Sequence, residues 1–384
     1  MNKDIHCGKV PQARPLAGDF CESSLLGGNS AYRGFCAGEN SQNNICTEET
    51  SANGLCADEI PEKNFCAEEK PQNDPCTGKV PKKEIRLAHF QITKSCNLRC
   101  PFCGQWGSRG FFADANGSAL SLDEWLDAAL QLAMLSPRPK IMLWGGEPLC
   151  CPFFDELAAA LYDMGFTLQA VTNGVLIDRH IDVIRRYFER VYVSVDGLRE
   201  VHDAIRGAGV FDRVDKNIRM LDPSRVTVMT VATKELDPYA LAEYFADYTI
   251  YLQTMIALSA EEIAEYKSWL RGCFGTEASE IDAWLGCGFK GSYENLPKNV
   301  VLMPHGSEAR NEYCLSPFKH IHISWNGNLL YCTDFYDFSA GNIRDASIAD
   351  IFGNEKSDRF RREIMNGKCV TCRHCSWRNN LTFD

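Results

Sequence analysis

Three thiols fall within eight residues in Cys96-Asn-Leu-Arg-Cys100-Pro-Phe-Cys103, at spacing C-x3-C-x2-C, directly after a strand-like run over Ile85–Thr93. Such spacing lets one loop deliver three thiolates to one small inorganic centre. A cubane iron–sulfur cluster ordinarily takes four cysteines, so three leave one iron with an open coordination position. A structural zinc site with a fourth ligand elsewhere is the alternative that these residues allow. A second group stands near the other end of the chain. Cys314-x12-Gly327-x4-Cys332 is followed by Cys369, Cys372 and Cys375 at two-residue spacings. Cys314, Cys332, Cys372 and Cys375 make a full four-thiolate set, with Cys369 as an alternative to Cys372; a zinc ribbon would use the same donors.

The elements that must carry these residues follow from periodicity. From Glu84 onward strand-like runs alternate with helical ones. The strands expected are Ile85–Thr93, Lys140–Trp144, Thr167–Thr172, Val191–Val195, Arg225–Val231 and Thr249–Leu258. Helices are expected over Leu122–Leu135, Phe153–Met164, Arg179–Phe188 and Tyr239–Tyr248, and after Ser259. Ser121 with Glu124, and Ser259 with Glu262, have the spacing of capping boxes. Repeated β/α units require a parallel sheet with helical crossovers. A partial (β/α)6 barrel and a doubly wound open sheet both satisfy that pattern. Near residue 300 the alternation stops. A hairpin over Ile321–Tyr331 turns at Asn326-Gly327-Asn328, and a short helix follows around Arg359–Met365.

The Cys loop gains meaning from what ends the next strand. Gly145-Gly146-Glu147-Pro148 is by itself a tight strand-to-helix turn. One β/α unit after the C-x3-C-x2-C loop, with Phe102 before its last Cys, it resembles the radical S-adenosylmethionine (SAM) superfamily. Thr172-Asn173-Gly174, Ser194-Val195-Asp196-Gly197 and Arg206-Gly207 continue the likeness, and the C-terminal cysteines resemble the SPASM/Twitch branch. The resemblance implies a partial (β/α)6 barrel with its site at the C-terminal ends of the strands. It implies a SAM-binding [4Fe–4S] cluster on Cys96, Cys100 and Cys103, and a SAM site formed by Phe102, Gly145, Gly146, Glu147, Pro148, Asn173, Ser194, Asp196 and Arg206. Glu147 stands in the motif that holds the SAM amino group. Arg206 suits the SAM carboxylate, a surface ion pair with Asp203 being the other reading; Asp196 or Asp203 could equally face substrate as a base. One auxiliary [4Fe–4S] cluster is implied by the C-terminal set. The chemistry implied is reductive cleavage of SAM to a radical that takes a hydrogen atom from substrate, with an electron donor such as a flavodoxin or ferredoxin. Cys150, Cys151, Cys273 and Cys287 match no motif and read as free core cysteines.

Three regions are expected: 1–83, 84–300 as the radical SAM core, and 301–384 as the auxiliary-cluster region. The first is polar, with cysteines at 36, 46, 56, 66 and 76, a period of ten. Four of these have a carboxylate three residues on: Cys36/Glu39, Cys46/Glu49, Cys56/Glu59 and Cys66/Glu69. So short a polar unit cannot bury a core, and disorder is expected. It reads as an inert tail, as a metal or redox sink, or as a cysteine-rich precursor peptide fused to the enzyme that modifies it. A peptide maturase forming thioether-type crosslinks, with its peptide in cis or in trans, is thus set against two other classes. One is a radical SAM enzyme acting on a small molecule, and the other a non-catalytic metal-binding scaffold. The net charge of −11 and pI near 5.3 disfavour nucleic acid. No apolar run suits a membrane helix or signal core. Nineteen cysteines without an export signal point to a cytoplasmic protein, at low oxygen if the clusters form.

Overall fold

The computed structural model describes residues 81–105, 117–254, 258–276, 295–302, 313–333 and 336–375. The decapeptide array and Cys287 lie outside them. Within them runs one ten-stranded sheet. Six strands follow one another in space as in sequence: β1 (Leu87–Thr93), β2 (Lys140–Gly145), β3 (Leu168–Thr172), β4 (Phe188–Ser194), β5 (Val226–Val231) and β6 (Thr249–Gln253). All five junctions are parallel. A doubly wound sheet reverses its strand order at a switch point; this one does not, so the fold is the partial α/β barrel. Among the described residues the sheet ends at β7 (Val300–Leu302) beyond β6 and at β10 (Gly341–Asn342) on the other side.

The barrel-side pattern explains the strand sequences. Ala88, Phe90 and Ile92 of β1, with Ile141 and Leu143 of β2, are buried against the helical layer, where Phe90 lies 4.8 Å from Trp125. The alternate residues face the other way: His89 opposite Met142, and Gln91 opposite Trp144. The convex face is therefore aliphatic and the concave face polar and aromatic, as side-chain alternation requires.

Helices α1 (Leu122–Ala133), α2 (Phe154–Asp163), α3 (Ile181–Tyr187), α4 (Arg199–Arg206), α5 (Val210–Ile218), α6 (Pro238–Tyr244) and α7 (Ala260–Phe274) complete the crossovers. Both capping boxes form: the side chains of Ser121 and Ser259 accept from the backbone N–H of Glu124 and Glu262. α4 and α5 were not expected, since each is short and rich in charge and shows its apolar stripe for barely two turns. β6 ends at Gln253 rather than Leu258, and β4 begins three residues earlier than expected, straight out of α3.

The C-terminal hairpin forms, as β8 (His320–Ile323) and β9 (Asn328–Leu330). Its placement could not be foreseen: β8 pairs parallel with β1, Leu87 opposite His320 and His89 opposite His322. The C-terminal segment thus extends the barrel sheet instead of standing apart. Arg344 fastens it, pairing with Glu124 and donating to the Ser118 and Ala119 carbonyls at the head of α1. The helix expected near Arg359–Met365 spans Glu355–Met365.

Candidate active site

Cys96, Cys100 and Cys103 occupy the loop that leaves the C-terminal end of β1. Cys100 is buried and the other two are half-buried. The Cys103 N–H donates to the Cys100 carbonyl, closing the turn, and the Leu98 N–H donates to Cys96 Sγ at 3.4 Å. Burial pushes the Cys96 thiol up to about 12 and raises Cys100 as well, so neither would ionise without a compensating cation. One is present. The Arg206 guanidinium faces Cys100 and Cys103 and favours their thiolates. Phe102 lies half-buried between the two.

The Gly145-Gly146-Glu147-Pro148 turn is built into this loop. A Cβ on Gly145 would stand 2.4 Å from the Thr93 carbonyl oxygen, and one on Gly146 2.4 Å from that of Ser95. Both glycines are thus needed for the turn to lie against the chain entering the Cys loop, a closer duty than ligand approach. The Gly146 and Glu147 N–H groups donate to those same two carbonyls. Pro148 opens a 3-10 turn, Pro148–Cys150, that Glu147 caps through the Leu149 N–H.

Glu147 has no exposed surface. Burial lifts its carboxyl to about 7, against hydrogen bonds from the Asn173 N–H, the Thr172 hydroxyl and the Leu149 N–H. It therefore knits the end of β2 to the end of β3. Asn173 carries the connection on, donating from Nδ2 to Asn97 Oδ1 at 2.7 Å and to Cys96 Sγ at 3.8 Å. Asn97 was not singled out from sequence; its place inside the C-x3-C segment was the signal available.

Arg206 does not pair with Asp203. Its Nε donates to Asp196 Oδ2 at 2.6 Å, and the pair is buried, with side-chain exposures of 9% and 0%. Asp203 instead accepts from the N–H groups of Gly209 and Phe211 and shapes the start of α5. Both its oxygens serve that turn, so it does not face substrate as a base. The other Asp196 oxygen accepts from the Val231 N–H at the end of β5, and its own N–H donates to His202 Nδ1. Ser194, the last residue of β4, lies half-buried beside Met229 of β5. The expected site residues thus meet at one end of the sheet, on four successive strands. There Gln253 Oε1, at the end of β6, is buried without a hydrogen-bond partner. Thiols backed by a guanidinium, at the end of the sheet that also holds an unsatisfied buried acceptor, fit an iron–sulfur cluster and a polar small molecule.

The C-terminal thiols gather around Cys372, on the short helix Val370–His374. Cys369, Cys314 and Cys375 all act on it and raise it well above the usual thiol range. Cys369 is 1% exposed, 3.0 Å from the Thr371 hydroxyl, and is held low by hydrogen bonds from Cys372 and Thr371 despite burial. Cys332 follows β9, half-buried. Thiols from three chain segments fit a four-cysteine cluster in donor chemistry. Among the described residues, no three His, Cys, Asp or Glu side chains converge as they would on a single ion. Cys151 and Cys273 are buried, with Cys273 Sγ 3.5 Å from Glu363 Oε2, and Cys150 is half-buried.

The comparisons with known proteins agree with this arrangement. Residues 90–235 match the Radical SAM superfamily, and residues 314–376 match SPASM, an iron–sulfur cluster-binding domain. The chain belongs to the radical SAM superfamily, in its SPASM branch. This radical SAM enzyme therefore uses SAM and [4Fe–4S] clusters, one of them auxiliary in the SPASM domain. An AdoMet-dependent heme synthase of Methanosarcina barkeri is 27% identical over 317 residues, 75% of this chain and 88% of that protein. The sporulation killing factor maturation protein SkfB of Bacillus subtilis is 26% identical over 301 residues, 73% and 68% of the two chains. Streptococcus suis SuiB, solved with its precursor peptide SuiA, shares the fold at 13% identity, with a TM-score of 0.51 over 77% of this chain and 71% of that one.

The cavity of about 340 Å³ lined by Arg185 and Arg225 opens at the opposite end of the strands. Both arginines are spent there on backbone carbonyls, of Met220, Arg185 and Ile184. Among the described residues no helix is long and apolar enough to cross a membrane.

Proposed function

We propose that this radical SAM enzyme modifies a cysteine-rich peptide by thioether-type crosslinking, its own N-terminal decapeptide array in cis or a like peptide in trans. Cys96, Cys100 and Cys103 hold the SAM-binding cluster. Cys314, Cys332, Cys375 and either Cys372 or Cys369 hold the auxiliary one. When bound, SAM and its cluster supply a 5′-deoxyadenosyl radical that takes a hydrogen atom from substrate. The chain's own contribution is position. Glu147 and Asn173 fix the Cys loop against β2 and β3. Asp196 orients Arg206 so that its charge lies toward Cys100 and Cys103, within reach of a carboxylate. Residues 84–300 form the catalytic core, and 301–384 the auxiliary region.

The observation that carries the peptide reading is the fixed offset from Cys to a carboxylate in four decapeptide units, fused to an enzyme similar to SkfB. Tethering raises the local concentration of such a substrate to roughly millimolar. The likeness to a heme synthase favours a second reading, a tetrapyrrole or other small-molecule substrate. The test is mass spectrometry of residues 30–80 after anaerobic turnover with SAM and dithionite. Each crosslink removes a pair of hydrogens and one alkylatable thiol. An unchanged mass with every thiol alkylatable excludes the array as substrate. A trans peptide is tested by the same readout on added peptide.

A further inference from the structure

Beneath the Cys loop, on the concave face where β8, β1 and β2 run side by side, polar side chains are packed without partners. His322 is 1% exposed, and neither of its ring nitrogens has a hydrogen-bond partner. Trp144 Nε1 and Gln91 Oε1 are likewise buried and unpartnered. These groups adjoin one another. The Trp144 and His322 rings meet edge-on at 4.9 Å, and His322 meets Tyr336 at 5.7 Å. Gln91 Nε2 lies 3.5 Å from the Tyr336 hydroxyl. His89 stands opposite His322 in the strand register, 6.4 Å away, and 5.9 Å from His320. Buried polar atoms nearly always find a partner, and leaving one unpaired is costly. Four such atoms on adjoining side chains mark a place where a polar guest completes the set.

The chemistry of the guest follows from what the site offers. It has N–H donors, an amide oxygen acceptor and aromatic faces, and lacks a formal charge. Burial drives the histidines toward the neutral form, His89 down to about 4 and His320 to about 3, and His322 is lowered as well. A carboxylate-rich or phosphorylated ligand would leave its charge uncompensated here. A peptide backbone, with one donor and one acceptor per residue, fits. The row lies two to four residues below Thr93, roughly 7–13 Å from the Cys loop at ~3.3 Å per residue. The SPASM cysteines Cys314 and Cys332 lie toward the other end of the same strand pair.

We infer that His322, Trp144 and Gln91, with His89, His320 and Tyr336 around them, form the substrate floor of the barrel, and that it binds an uncharged stretch of peptide backbone. This rests on the peptide reading above. The neutral apolar-Cys-small triplets of the array, such as Phe65-Cys66-Ala67, supply such a stretch.

The test uses the full chain, anaerobically reconstituted, and a labelled peptide spanning residues 61–70, blocked at both termini. Anisotropy measures peptide binding, and 5′-deoxyadenosine release without peptide measures the SAM site. His322→Phe and Trp144→Phe keep ring shape and remove the unpartnered nitrogens. Each is expected to weaken peptide binding about tenfold, as loss of one or two neutral hydrogen bonds would. Peptide-independent SAM cleavage stays within about twofold of wild type. His322→Asn, which restores a donor and an acceptor, recovers most of the affinity. Variants that bind the peptide as tightly as wild type overturn the floor and leave the peptide reading standing. Equal weakening in His322→Asn and His322→Phe overturns it too, since shape rather than hydrogen bonding would then govern. A wild-type chain that neither binds the added peptide nor modifies its own residues 30–80 overturns the peptide reading, and the floor with it; where the array is modified and keeps the added peptide out, variants that leave that modification unchanged overturn the floor alone.

Discussion

The two thiol groups of this enzyme are made in opposite ways. The first takes three cysteines from one loop and surrounds them with groups that are not ligands: Glu147, Asn173, and the buried Asp196–Arg206 pair. The second draws its cysteines from three segments, with Cys372 acted on by three other thiols. A loop that supplies one ligand too few, beside a fixed charge, leaves room for a small molecule to complete the coordination. A set with thiols to spare closes on itself. The two groups differ most in the count of thiols against the count of charged neighbours.

That contrast can be broken at either end. Cys100→Ala is expected to have the largest effect, abolishing 5′-deoxyadenosine formation under SAM and dithionite and lowering bound iron from about eight to about four per chain. Cys314→Ser should lower iron by the same amount while SAM cleavage persists; iron analysis beside product quantitation separates the two centres. Arg206→Met leaves Asp196 buried without its cation. It should cost about 3–5 kcal/mol of stability by chemical denaturation, and lower SAM affinity in the same variant. Gly146→Ala forces a Cβ onto the Ser95 carbonyl. A loss of about 1–3 kcal/mol is expected, with weakened cluster absorbance and intact auxiliary iron. Arg344→Ala removes a partly exposed pair between hairpin and α1, and should cost only about 1 kcal/mol, detectable by thermal melting.

Local chemistry was readable from sequence, and distant pairing was not. The C-x3-C-x2-C loop, the turn at Gly145 and both capping boxes are each contained within a few residues, so spacing alone exposed them. Arg206 was read toward the SAM carboxylate or, equally, as a surface ion pair with Asp203. The actual partner, Asp196, lies across a turn that only the folded strand ends bring close. β8 joins β1 across more than 200 residues of sequence, and no local pattern announces a parallel partner so remote. The His-Ile-His-Ile run of β8 did hold a signal. Alternation that buries isoleucine on one side sets two histidines on the other, where a purely structural strand would place small or aliphatic residues.

The β1–β8 ladder gives the molecule a polarity. Cys96 leaves the C-terminal end of β1, whereas Cys314 precedes β8 and Cys332 follows its antiparallel partner β9, both at the level where β1 begins. The six residue steps of β1 set about 20 Å between those levels at ~3.3 Å per step. Four backbone pairs hold the two strands in register, so this spacing cannot breathe as it would across a hinged linker. The Cys96 loop and the Cys314 and Cys332 thiols thus stand at opposite ends of one strand pair, and the gap between them is set by the backbone.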